Sequence, residues 1–271
     1  MESGWVFLLV AAMATGAIVG TLSGLFGVGG GIIMVPVLDT ALILAGVPVE
    51  TSMRMAVATS LATVVPTSIA SARAHHQRGA VDLAVARGWA LAIGIGAVLG
   101  SLLATRVDGA VLTVVFGVVA AVVAIKMLLP LDQWTFWPKV PGGLLGQLVP
   151  AAIGSLSSMM GIGGGTLSVP TLTLMSMPVH RAVGTANLLG LAIAIPGTLI
   201  YLLASPTPAR APALTVGLVS LSSFVLLVPT AILMAPIGAR LAHRLPRRTL
   251  SAAFGVFLLI VAGRMVYRSV A

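Results

Sequence analysis

The chain has 271 residues, of which 58% are apolar and only 8% are charged, whereas a soluble domain carries about 25% charged residues. This composition excludes a water-soluble fold, and 31 glycines beside 7 Phe and 2 Tyr favour closely packed membrane helices over a β-barrel with aromatic girdles. The net charge is +9, and because the basic residues lie in short gaps between apolar runs, it indicates membrane topology and not nucleic-acid binding. The absence of cysteine excludes disulfides, thiolate metal sites and cysteine nucleophiles.

Apolar runs recur along the whole chain, and a bilayer core of about 30 Å requires about 20 helical residues for one crossing. The N-terminus lacks the positively charged start of a signal peptide, so the first run is expected to be a membrane helix. Two runs reach only about 25 and 20 Å at 1.5 Å per residue, which predicts partial or broken crossings. In chain order the runs cover residues 5–23, 31–47 (short), 54–72, 87–105, 110–129, 144–160, 165–177 (short), 182–204, 214–239 and 249–267.

The two short runs open with the same glycine-rich motif. The first reads Gly27-Val28-Gly29-Gly30-Gly31 followed by Pro36, and the second, 134 residues later, reads Gly161-Ile162-Gly163-Gly164-Gly165 followed by Pro170. Ordered matches downstream indicate internal duplication. They pair Ala56-Val57-Ala58-Thr59 with Ala182-Val183-Gly184-Thr185, Pro66 with Pro196, and Phe116-Gly117-Val118 with Phe254-Gly255-Val256. We therefore expect one integrated membrane domain of two repeats, residues 1–139 and 140–271, with a linker around 130–143.

Each repeat holds five segments, and an odd number predicts that the repeats cross the membrane in opposite orientations. If all ten segments cross, ten basic residues fall on one face and five on the other, so the positive-inside rule places the first face in the cytoplasm and both termini outside. If the short segments re-enter without crossing, the number of crossings falls to eight. The expected fold is an all-α polytopic membrane protein of two inverted repeats, with glycine-broken short helices near the midplane.

Glycines in a row let backbone N–H groups face a ligand, and the first turn of the following helix adds unpaired N–H groups and a positive dipole end. Two such turns on inverted repeats are expected to approach each other near the midplane, which predicts a site for a small oxyanion. The alternative is close helix packing, in which glycine is common. The candidate substrate-binding glycines are Gly27, Gly29, Gly30, Gly31, Gly161, Gly163, Gly164 and Gly165.

Polar side chains follow each glycine motif on the next long helix. Thr59 and Ser60 in the first repeat, and Thr185 and Asn187 in the second, are candidate hydrogen-bond donors to a bound oxyanion. The alternative for the hydroxyls is a hydrogen bond to their own helix. An asparagine is costlier to bury unpaired, which favours a functional role for Asn187.

Three charged residues are candidates for attracting the anion or coupling its transport. Arg54 and Arg181 lie just before the two polar helices, where they attract anions at the two mouths or simply extend to the membrane surface. Asp39 is the one acid well inside an apolar run, which makes it the candidate proton carrier. The alternative for Asp39 is a position near solvent, and its counterpart in the second repeat is Thr173, which does not titrate.

Signatures of enzymes and metal sites are missing from the sequence. His75 and His76 are adjacent but have no acidic residue near them in the sequence, so no metal site is expected. There is no HExxH motif, no pair of carboxylates, no GxSxG elbow and no Walker lysine after the glycines. The chain is therefore expected to be no enzyme and to hold no cofactor.

The glycine motifs and their surroundings resemble the TauE/SafE sulfite exporter family over nearly the whole chain. The segments that carry the resemblance are Gly24–Gly31 with Pro36, Gly161–Pro170, Arg181–Thr185 and Gly238–Ala242. The resemblance implies a bacterial or archaeal inner-membrane carrier that moves sulfite, sulfonates or related sulfur oxyanions, generally as an exporter coupled to an ion gradient. It also implies roles for Gly27, Gly29 to Gly31, Pro36, Gly161, Gly163 to Gly165 and Pro170.

Together these features predict a secondary transporter in the lipid bilayer that binds sulfite or a sulfonate between the two glycine turns. Alternating access releases the anion, export is the expected direction, and H+ is the candidate coupling ion. One alternative is an importer of a sulfonate or another organic anion. A second is an anion channel, although the sequence lacks the continuous polar stripe that a channel requires.

Overall fold

The computed structural model describes residues 16–22, 30–129, 143–203, 206–242 and 247–270, which are almost entirely helical. This confirms the expected all-α polytopic membrane fold. The helices are α1 (the described residues 16–22), α2 (Gly31–Leu44), α3 (Val49–Gln77), α4 (Leu83–Arg106), α5 (Gly109–Leu128), α6 (Gly143–Met159), α7 (Gly165–Leu174), α8 (Val179–Leu203), α9 (Leu221–Ala242) and α10 (Arg247–Val270). A short antiparallel hairpin, β1 (Thr215–Val216) and β2 (Val219–Ser220), separates α8 from α9.

Four helices of the described ranges, α3, α4, α5 and α8, are long and apolar enough to cross a membrane. α2 and α7 have 14 and 10 residues, so they extend about 21 and 15 Å and are shorter than a bilayer core. They occupy the positions of the two short apolar runs. α9 and α10 carry apolar stretches at Leu221–Met234 and Ala252–Met265.

The apolar run 214–239 begins with the hairpin and not with a helix, which corrects the expected start of that segment. Leu214 and Gly217 have φ angles of 59° and 56°, in a left-handed region that an α-helix excludes. Gly217 also lies against the carbonyl oxygens of Tyr201 and Leu202, where a Cβ would collide. α9 therefore begins only at Leu221.

Large apolar side chains remain exposed on the outer faces of several helices. Leu91, Val122, Leu233 and Ile260 are 75%, 62%, 67% and 66% exposed. Such surfaces are rare on soluble monomers, whereas in a bilayer the lipid chains cover them. These side chains mark the faces that contact lipid.

The two halves of the chain are interlocked through glycines. Gly154 of α6 lies against the backbone of Ile93 in α4, and Gly20 of α1 lies against the backbone of Ala231 in α9. The two contacts are equivalent, because Gly154 follows Gly20 by 134 residues and Ala231 follows Ile93 by 138. The first helix of each half thus packs on the fourth helix of the other half. The proposed boundary between residues 139 and 140 lies outside the described residues and stays a prediction.

α3 and α8 pack together along much of their lengths and run antiparallel. A Cβ built on Gly197 would lie 2.5 Å from the Leu61 side chain, one built on Gly190 would lie 2.8 Å from the Ser68 hydroxyl, and Gly184 lies against His75. Residue numbers therefore rise along α3 as they fall along α8. Because these helices occupy the same place in the two halves, their antiparallel packing is the arrangement that inverted repeats require.

Candidate functional site

The second glycine motif forms the tight turn between α6 and α7. Gly161 has a φ of 66°, a left-handed conformation that glycine adopts without strain. Its N–H donates to the carbonyl of Ser158 at 3.3 Å, and the N–H of Ile162 donates to the carbonyl of Ser157 at 2.9 Å. This turn ends α6 and starts α7 at Gly165 a few residues later.

The second glycine turn is enclosed by α3 and α8. A Cβ built on Gly161 would lie 2.6 Å from the carbonyl oxygen of Val57, and one on Gly163 would lie 2.8 Å from the Val64 side chain. Gly164 lies against the carbonyl of Ala186 in α8. The glycines therefore serve close packing here, which is the alternative considered for them, and this packing also brings backbone amides into the centre of the helices.

Ser60 connects α3 directly to the turn. Its buried hydroxyl donates to the carbonyl oxygen of Gly161 at 2.8 Å. The structure thus brings this candidate residue and the second glycine motif together. In this conformation the Ser60 proton is used by the protein backbone.

The two glycine motifs meet at Gly31. A Cβ built on Gly31 would lie 2.7 Å from the carbonyl oxygen of Gly161 and 2.8 Å from the Cα of Ile162. Gly30, immediately before α2, has a φ of 77° and accepts hydrogen bonds from the N–H groups of Ile33 and Met34 at 3.1 and 2.8 Å. Gly27 and Gly29 lie outside the described residues.

Both short helices begin at glycines, which have no side chain to cap the helix. The residues before the first turns are Gly30 for α2 and Gly164 for α7. The first N–H groups of a helix have no partner within the helix, and together they carry a partial positive charge. The region where the two motifs meet is therefore suited to an anion.

The hydroxyl oxygens of Thr59 and Thr185 accept hydrogen bonds across the two halves. Thr59 accepts the N–H of Ser220 at 3.0 Å, and Thr185 accepts the N–H of Asp82 at 2.9 Å. Both threonines are fully buried. Their assignment as substrate ligands stays a prediction, but in this conformation they bind the residues that precede α9 and α4.

Asn187 bonds to its own helix. Its side-chain nitrogen donates to the carbonyl oxygen of Val183 at 2.8 Å, four residues earlier in α8. This is the arrangement considered above for the hydroxyls. A donor held in this way has its second hydrogen free to contact a ligand only if the side chain keeps this orientation.

The two candidate arginines lie in ion pairs. Arg181 donates to a carboxylate oxygen of Asp82 at 2.8 Å, while Arg54 lies 3.5 Å from a carboxylate oxygen of Asp108, which is 87% exposed. The other carboxylate oxygen of Asp82 accepts the N–H groups of Ala84 and Val85 and caps α4. The arginines are therefore paired with acids at the ends of helices, and their role in attracting anions stays a prediction.

Asp39 is completely buried in α2. The hydroxyl of Ser52 in α3 donates to its carboxylate at 2.7 Å. This burial contradicts the alternative of a position near solvent. A buried acid inside a membrane protein is a candidate for carrying a proton.

Comparison with known proteins identifies the family. A family model described as the sulfite exporter TauE/SafE matches residues 12–265. The chain belongs to the TauE/SafE family. A probable membrane transporter protein of Haemophilus influenzae is 31% identical over 260 residues, which cover 95% of this chain and 97% of the relative. The probable membrane transporter protein YunE of Bacillus subtilis is 21% identical over 283 residues, covering 96% and 98%.

A third relative of this TauE/SafE chain is a probable membrane transporter protein of Methanocaldococcus jannaschii, 30% identical over 197 residues that cover 68% of each chain. No solved structure matches the chain significantly. The family and these relatives identify a multi-pass membrane transporter, and a transporter is not an enzyme. Within the described ranges, no cluster of three or more acidic or histidine side chains is arranged to hold a metal ion.

Sequence reasoning missed two serines of this TauE/SafE chain. Ser157, near the end of α6, and Ser168, in the first half of α7, are fully buried, and among the described residues their hydroxyls have no hydrogen-bond partner. They stand on either side of the second glycine turn. A sequence signal existed for Ser168, since it follows Gly164 by four residues and thus shares its face of the helix.

Proposed function

We propose that this protein is a secondary transporter that exports sulfite or another small sulfur oxyanion across the inner membrane. The anion binds where the two glycine motifs meet, and alternating access carries it between the two sides. The observation that carries this proposal is the contact between Gly31 and Gly161. It joins the starts of two glycine-led helices, each of which presents unpaired N–H groups.

The chemistry of this region suits a small anion. Backbone N–H groups at a helix start and serine hydroxyls are neutral donors, and the aligned peptide dipoles favour negative charge. A fixed arginine at this depth would be costly to bury and would hold the anion too tightly for release. The candidate arginines lie instead at the ends of helices, where Arg181 is half exposed.

The equivalent contacts of the two halves support alternating access. The Thr59–Ser220 and Thr185–Asp82 hydrogen bonds are related by the internal duplication, so breaking one or the other would open the molecule in two related ways. Inverted-repeat transporters reach their two open states by this kind of exchange.

Asp39 supports coupling of transport to protons. Its carboxylate is buried and bonded to Ser52, so a change in its protonation would alter the contact between α2 and α3. Because α2 begins at the proposed anion site, this contact connects proton binding to the position of that helix.

The test is flux of radiolabelled sulfite in proteoliposomes, with the purified protein also heated in the presence of sulfite, thiosulfate, sulfate, methanesulfonate and acetate at fixed ionic strength. A ligand that binds the folded state raises its apparent stability. We expect saturable sulfite flux and selective stabilisation by sulfite or methanesulfonate. Equal responses to all five anions, together with flux no faster than in empty vesicles, would contradict the proposal.

A further inference from the structure

Ser168 differs from the other hydroxyl residues of α7. Thr171 donates to the carbonyl of Leu167 at 2.7 Å, and Thr173 donates to the carbonyl of Pro170 at 2.9 Å. The hydroxyl of Ser168 makes no such bond, and in the described part of the chain it has no partner at all, although the residue is fully buried. Buried hydroxyls without partners are rare and costly, so this one requires an explanation.

The position of Ser168 directs its side chain toward the start of α7. Its N–H donates to the carbonyl of Gly164 at 2.9 Å, which places it one turn after that glycine on the same side of the helix. Side chains on a helix lean toward its N-terminus. The Ser168 hydroxyl therefore lies over the first turn, beside the unpaired N–H groups.

Ser157 provides a second donor on the other side of the same turn. Its carbonyl accepts the N–H of Ile162 at 2.9 Å, which fixes it against the turn. Its hydroxyl is also buried and, among the atoms that the structure describes, unpartnered. The turn is thus flanked by two hydroxyls whose protons the surrounding protein does not use.

The first half of the chain lacks the equivalent of Ser168. The residue 134 positions earlier is Met34, whose thioether has no proton to donate. The two glycine motifs are therefore unequal in their capacity to bind an anion, even though their backbones are similar.

We infer that the anion of the proposed transport binds at the second glycine turn, with the hydroxyl of Ser168 donating to one of its oxygens and that of Ser157 donating from the opposite side. This inference rests on the proposed function and deepens it by assigning the ligands of the site. Ser168 has no exposure to solvent, so the structure shows the closed form of the site. The anion enters when the helices around the turn separate.

The test compares S168A with T171V, which removes a hydroxyl that is already bonded to its own helix three residues further along α7. Sodium sulfite is titrated against each purified protein and the unfolding temperature is followed, with sodium acetate as the ionic control. We expect sulfite affinity to fall about tenfold or more in S168A, the loss expected for one hydrogen bond to a charged group. Sulfite affinity stays at the wild-type value in T171V.

The sulfite-free protein provides a second measurement. S168A should unfold at the same temperature as the wild type or higher, because it loses a buried hydroxyl without a partner. S168C, which keeps the size of the side chain with a weaker donor, should bind sulfite with intermediate affinity, and it replaces S168A if the alanine variant does not fold.

The outcomes separate this inference from the proposed function. Wild-type sulfite affinity in S168A would overturn the assignment of Ser168 while leaving the transporter proposal in place. A wild-type protein that sulfite does not stabilise would contradict the proposed site itself, and this inference with it.

Discussion

The hydroxyl oxygen of Thr185 accepts the backbone N–H of Asp82 at 2.9 Å, although 103 residues separate them in the sequence. Thr59 accepts the N–H of Ser220 in the same way at 3.0 Å. Asp82 and Ser220 are the residues immediately before α4 and α9. The third helix of each half therefore holds the start of the fourth helix of the other half, and the fold depends on contacts that neither half can make alone.

Replacing Thr185 with valine tests the first of these hydrogen bonds. T185V keeps the shape of the side chain but leaves the Asp82 N–H without its acceptor, which should destabilise the protein by about 1–3 kcal/mol. The unfolding temperature of the purified protein measures the effect. T185S keeps the oxygen and should lose less stability than T185V, whereas equal losses in the two variants would show that the methyl group and not the hydroxyl matters.

The two cross-half hydrogen bonds should control opposite sides of the membrane. The loop that contains Asp82 lies on the face that the positive-inside rule places in the cytoplasm, so T185V should favour opening to that side and T59V to the other. Since the chain has no cysteine, a single cysteine at Ser168 reports access by a membrane-impermeant maleimide. We expect faster labelling from the cytoplasmic side in T185V and from the outer side in T59V. Labelling from the same side in both variants would contradict this view of the two contacts.

Substituting Asp39 tests proton coupling. In D39N the amide oxygen still accepts the hydrogen bond of Ser52, but the group no longer titrates. Sulfite flux in proteoliposomes should therefore lose its dependence on an imposed pH gradient. S52A is the control, because it removes the hydrogen bond and leaves the acid in place. Flux in D39N that still follows the pH gradient would show that the protons bind elsewhere.

The interlocking glycines should tolerate no side chain. In G154A the new methyl group would collide with the backbone of Ile93, and α4 and α6 would have to separate, so we expect a loss of several kcal/mol or a protein that does not insert stably. Gly88 is the matched control in α4, since a methyl group there meets no described atom within 4 Å. G88A should be neutral or more stable by about 0.5–1 kcal/mol, because alanine favours the helix. Detergent-solubilised yield and unfolding temperature compare the two variants.

Much of the architecture could be predicted from the sequence because it is written in local and periodic signals. Apolar runs gave the helices, and the glycine motifs with their following prolines gave the positions of α2 and α7. The duplication at 134 residues predicted that equivalent positions make equivalent contacts, as Gly20 and Gly154 do. These signals require only counting along the chain.

Other features depend on partners that are far away in the sequence. The partner of Thr59 is 161 residues away, and nothing in the local sequence distinguishes its hydroxyl from one that bonds to its own helix. The hairpin before α9 depends on positive φ angles at Leu214 and Gly217, and leucine gives no sign of such a conformation. The isolation of the Ser168 hydroxyl is visible only once every neighbour has been placed.

The packing of α1 on α9 has a consequence for the synthesis of the protein. Gly20 leaves the ribosome more than 200 residues before its partner Ala231, a delay of about 10–40 s at 5–20 residues per second. During this time the first helix lies in the bilayer with its contact surface covered only by lipid or by the insertion machinery. A chain that stops before α9 leaves this helix permanently without its partner, so quality control in the membrane has a signal by which to recognise an unfinished copy.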